Sequence, residues 1–146
     1  MLRSGTIKAR LGTARAPSDR VVKAGGQETT RMPAEDQAIL VYTTCPSHAE
    51  AKRIGAVLVK QKLAACVNIF PSMTAIYEWQ GELEEVVEAA MLIKTRADLE
   101  SAVLDAVKHL HPHETPALLV LKTGGGSTEF IRWIVENTAA PVEAVE

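Results

Sequence analysis

The chain has 146 residues, 47% of them hydrophobic, and a formal net charge of −2. A chain of ~150 residues buries roughly 70% of its unfolded surface, so one domain with its own core is expected. Residues 1–36 hold seven Lys/Arg and four Asp/Glu, and residues 37–146 hold nine and fourteen; an acidic body with only six aromatic residues lacks the basic stripe and stacking platform of a nucleic-acid binder.

Residues 1–36, rich in Gly, Thr, Arg and Ala and without apolar periodicity, are expected to form a disordered basic extension. Their Arg-rich start also resembles a transit peptide, but Asp19, Glu28, Glu35 and Asp36 and the lack of a strong amphipathic helix favour a plain bacterial-style extension or a mis-called start. The domain is placed at 37–140, with a tail at 141–146. No apolar run reaches the ~20 residues of a membrane span. Two cysteines, Cys45 and Cys66, in a core-rich chain point to free thiols and a cytoplasmic location.

"AILVYTT" (38–44), β-branched and stopped by Cys45 and Pro46, predicts a buried strand. "SHAE" then supplies a capping box, Ser47 as N-cap with Glu50 three residues on, opening a helix to about Lys62. Ile54, Val57, Leu58 and Leu63 form its sheet-facing side. "AACVNIF" (64–70) is a second strand, interrupted at Pro71, which implies a bulge or an edge position. "TAIYEW", the turn "QG" at 80 and 81 and "ELEEVVEAAMLIKT" make a hairpin with one unusually long arm. An arm of that length projects beyond its own domain, and projecting edges demand a partner.

In "TRADLESAVLDAVKHLH", Leu99, Ala102, Val103, Ala106, Val107 and Leu110 recur at helical spacing. "PALLVLK" (116–122) predicts a short strand, "GGGS" a break, and "TEFIRWIVENT" a last helix. The order β, α, β, β, α, β, α defines an α+β fold: a ferredoxin-like split βαβ sandwich, an antiparallel sheet with helices on one face, a long hairpin arm and an extra C-terminal helix. The right-handed crossover rule sets the first strand beside the third. Cys45 and Cys66 are then separated by that strand, which disfavours a disulfide.

Five pieces, in order and at compatible spacing, resemble the divalent-cation tolerance (CutA) family: "VYTTCPSHAEA", "LVKQKLAACVNIFP", "IYEWQGELEE…E…MLIKT", "HPHETPALLVL" and "FIRWI". The resemblance runs from about Ala38 to Thr138. It implies a subunit that forms a homotrimer by pairing its hairpin strands with those of neighbours, and a non-enzymatic role in tolerance of divalent metals, copper especially.

"HLHPHET" sets His109, His111 and His113 on alternate positions, which leaves two readings. Neutral imidazole suits copper or zinc. Alternatively, His109 and His111 sit at a helix C-terminus, where a protonated ring gains ~0.3 to 1 kcal/mol from the dipole. The resemblance implies copper ligands at Thr43, Leu110 and His111, of which only His111 is a histidine or cysteine. Cys45, two residues along the same strand face, and His113 are the compensating candidates, giving a soft site of Cys45, His111 and His113.

Tyr77, Trp79, Glu88, Lys94 and Glu114 stand at recurrent family positions and suggest a polar intersubunit cleft, with Lys94 paired to a carboxylate and Trp79 as a wall. The bland alternative is that they are interface packing and ion pairs. Ala75 and Ala117 replace a hydroxyl and a carboxylate common in relatives. "TGGGS" lacks the ending of a Walker motif and reads as a connector. No nucleophile has a recognisable base beside it, and Cys66, Met73 and Met91 read as packing. The rival function is a ligand-sensing trimer resembling the PII signalling proteins. No organic cofactor is implied.

Overall fold

The computed structural model describes residues 21–24, 27–30 and 32–140. Within the extension expected to lack structure, Val21–Ala24 (β1) and Gln27–Thr30 (β2) pair antiparallel with each other and, among the described residues, with no other strand. Ala34–Asp36 forms a 3-10 turn. The expected disorder of residues 1–20 and the tail 141–146 lie outside the described residues.

The body is the expected fold. β3 (Ala38–Cys45), α1 (His48–Lys60), β4 (Cys66–Trp79), β5 (Glu82–Arg96), α2 (Glu100–Leu110), β6 (Leu118–Lys122) and α3 (Thr128–Glu136) follow one another. The sheet order is β4-β5-β3-β6, every pair antiparallel. The first body strand lies beside the third, as right-handed crossovers require. β5 therefore separates Cys45 from Cys66, and both thiols are free.

Period-two alternation decides what each strand buries. Val41, Thr43 and Cys45 of β3 and Ala89, Met91, Ile93 and Thr95 of β5 point to the α1–α2 face and are fully buried. They pack with Ile54 and Leu58 of α1 and with Val103 and Val107 of α2. α1 comes close to the sheet because Gly55 has no side chain: a Cβ there would lie 3.3 Å from Val67 Cγ1. Ser47 caps α1, accepting from the Glu50 N–H at 3.2 Å. The reciprocal half of the capping box is missing, since the Glu50 carboxylate turns to Arg53 instead.

Pro71 does not end its strand. β4 runs through it with a register shift between Phe70 and Met73, a bulge on an edge strand, where a missing N–H leaves no ladder bond broken. Beyond the bulge, β4 and β5 continue as a two-stranded arm closed by Gln80 (φ 50°) and Gly81 (φ 81°), the left-handed pair of a type I′ hairpin turn. α3 meets the sheet at Lys94, whose ammonium lies 5.2 Å from the Phe130 ring centroid. Among the described residues no helix is long and apolar enough to cross a membrane.

Candidate functional site

The first cluster forms where β3 ends. Thr44 presents its carbonyl to His111 Nε2 at 2.7 Å, and His111 Nδ1 lies 3.0 Å from the His113 backbone N–H. A carbonyl only accepts and an N–H only donates, so the ring is the neutral tautomer with its proton on Nε2. His111 is 7% exposed as a residue, and its backbone N–H closes α2 on Val107 O at 2.9 Å. Beside it, Arg53 donates to Leu110 O at 2.6 Å and pairs with Glu50 at 2.7 Å. It thereby satisfies one of the carbonyls that a helix C-terminus leaves open.

Cys45, at the end of the same strand, is sealed. Its thiol donates to Met91 Sδ at 3.6 Å, and burial pushes its pKa up to about 11, with Glu50 and Glu88 adding and Arg53 opposing. A thiol held protonated is a poor metal ligand, because the thiolate is the ligating form. Thr43, at the position where the resemblance implies a cysteine, is fully buried and its hydroxyl has no hydrogen-bond partner. His113 is exposed, its ring 5.1 Å from that of His111 and tilted by 54°. Among the described residues no three His, Cys, Asp or Glu side chains gather so as to hold a metal ion. Cys45, His111 and His113 are thus neighbours in the fold without forming a donor set for copper.

The second candidate group is spread along one chain. Tyr77 and Trp79 stand on the arm, 45% and 62% exposed, opposite Glu84 and Glu82. Glu88 lies at the arm's base, opposite Met73. Lys94 is six residues further along β5, roughly 20 Å away on a strand. Glu114 is exposed in the loop after α2. One chain does not bring these five residues into a common cleft. Among the described residues Lys94 pairs with no carboxylate; its partner is Phe130, which stacks in turn on Trp133 with centroids 5.8 Å apart.

A family model described as CutA1 divalent ion tolerance protein matches residues 39–137. The chain belongs to that family. Tolerance of divalent cations is the role the CutA family carries, and the fold agrees at the level of coordinates. A divalent ion tolerance protein CutA1 from Ehrlichia chaffeensis superposes with a TM-score of 0.69 at 35% identity, covering 71% of this chain and 97% of that one. The human Protein CutA is 36% identical over 104 residues, 71% of this chain and 58% of the human protein, so this chain spans little more than half of that relative. The CutA of Salmonella newport is 38% identical over 98 residues, 67% of this chain and 85% of the relative.

Sequence reading missed three members of these CutA-type surroundings. Arg53 as the cap of α2 left only its i, i+3 spacing from Glu50 as a signal. Phe130 beneath Lys94 and Met91 beside Cys45 left none, since both are contacts between elements far apart in the chain.

Proposed function

We propose that this chain works as a homotrimer in a non-enzymatic, cytoplasmic response to divalent cations, copper among them. The arm is the observation that carries the assembly. Ile76, Trp79, Leu83 and Val87 are between 62% and 78% exposed on a hairpin that no helix covers. Among the described residues no strand pairs with the outer edge of β4 along its 14 residues. Long apolar edges of this kind need a partner, and cyclic closure of three copies covers arm and edge together. In that assembly Tyr77 and Trp79 of one copy would reach the surface of another, and Glu88, Lys94 and Glu114 would line the boundary. The free thiols accord with a reducing compartment.

A PII-like trimer that senses a small ligand is the second reading, and Lys94 favours it. Its ammonium rests on an aromatic face and leaves its charge available to an anion at the subunit boundary. A bacterial strain lacking its own family member separates the two readings. Expression of this chain should restore growth in copper, and the arm variant Ile76→Ser/Leu83→Ser/Val87→Ser should not. Unrestored growth, together with a melting temperature raised by organic acids or nucleotides and by no metal, would favour the second reading.

A further inference from the structure

We propose that His111 is a fixed strut between α2 and β3, and that metal ligation by its imidazole and the docked 111–115 loop are mutually exclusive. A metal ion needs a ring nitrogen with a free lone pair. Nε2 carries the proton and spends it on Thr44 O at 2.7 Å. Nδ1 has the lone pair, and the His113 N–H takes it at 3.0 Å. Ligation at Nδ1 leaves that backbone N–H without its acceptor. Ligation at Nε2 needs the ion to stand where Thr44 O now lies 2.7 Å away, and keeping the ring neutral moves its proton to Nδ1, where it would face the His113 N–H.

Residue 111 cannot yield by a small rotation, because it is also held from the backbone. Its N–H bonds Val107 O at 2.9 Å, and the preceding carbonyl is taken by Arg53 at 2.6 Å, itself fixed by Glu50. His111 is buried, 7% exposed as a residue, so an ion would have to displace the loop to reach its ring. Cys45, the nearest soft donor on β3, is fully buried and directed at Met91. His109 and His113 are open to solvent, and the His113 side chain makes none of these bonds; only its backbone does. The residue that the resemblance singles out as a ligand is therefore the one that pins the loop to the sheet. This inference does not rest on the trimer and fails or survives separately from it.

The test uses the full chain labelled with 15N and long-range 1H–15N correlation of its imidazoles, with Zn2+ as a diamagnetic probe. The His111 ring should show a protonated Nε2 and an acceptor Nδ1, and both signals should stay in place through an excess of zinc while His113 is free to move. Copper titration of wild type and His111→Gln should then give the same affinity. His113→Ala, which keeps the backbone N–H, should leave the His111 tautomer and the melting temperature unchanged. A saturable zinc shift at His111, or a loss of copper affinity of about tenfold or more in His111→Gln, would overturn the strut. If His111→Gln fails to fold, the wild-type imidazole spectrum decides alone.

Discussion

On β5, Met91 and Ile93 are fully buried, while Leu83 and Val87, projecting from the same side of the same strand, are 78% and 66% exposed. The alternation does not change between them, and β4 pairs with β5 in both stretches, β3 joining on the other side only from Ala89 on. What changes is the cover: α1 and α2 lie over the sheet as far as Ala89, and the arm beyond it has none. Burial in this molecule is thus set by which element lies over a strand, whereas the strand's own pattern states only which side needs covering. The body answers that need within the chain; the arm does not, and in the proposed assembly another copy would supply the cover.

The largest effect should separate body from arm by its dependence on concentration. Ile93→Ala leaves a cavity beneath the helices and should cost about 2–5 kcal/mol in denaturant unfolding, at any protein concentration. Ile76→Ser/Leu83→Ser/Val87→Ser should instead lower stability by an amount that shrinks on dilution, because the stabilisation that assembly adds to the wild-type chain falls with concentration by mass action. Equal and concentration-independent losses in both variants would erase the distinction.

Next in size is a pH effect confined to the body. The Cys45 thiol is raised from 9.0 to about 11 in the folded chain, so the protonated form is the one that the fold favours. Its contribution is complete below pH 9 and is lost as pH rises from 9 through about 11, up to about 3 kcal/mol. Cys45→Ala should flatten the stability curve across that window relative to wild type; parallel curves would contradict the sealed thiol. His111→Ala removes two hydrogen bonds of a buried ring and should cost about 1–3 kcal/mol in urea unfolding, with amide exchange rising first in residues 111–115. Smallest is Thr43→Val, which replaces a buried hydroxyl without a partner and should stabilise by about 1 kcal/mol. A loss there would mean that the hydroxyl is satisfied in solution.

The features legible in the sequence were those with local causes. Helical spacing from Leu99 to Leu110, the Ser47 cap, the Gln80–Gly81 turn and the length of the hairpin each arise within a few residues of one another. Pro71 predicts a bulge or an edge, and both are present, but the strand's continuity through it depends on the arm pairing beyond, which is a property of two strands. The candidate site was harder because its contacts are long-range. The "HPHET" stretch shows that His111 stands near a helix end, yet nothing in it reveals that Thr44, 67 residues away, accepts from its ring. Lys94 is expected to meet a carboxylate in a cleft between subunits; within one chain α3 brings Phe130 against it, a contact between distant elements that the sequence does not show. In the extension, the short pairing of β1 with β2 was hidden by a composition that lacks any apolar period.

The claim that the arm is completed by other copies is tested most directly by the mass of the purified chain in solution. Light scattering coupled to size exclusion should give three chains of 15.8 kDa, with Ile76→Ser/Leu83→Ser/Val87→Ser shifting that mass downward on dilution. A wild-type chain that elutes with the mass of one copy across the accessible concentrations would contradict the account.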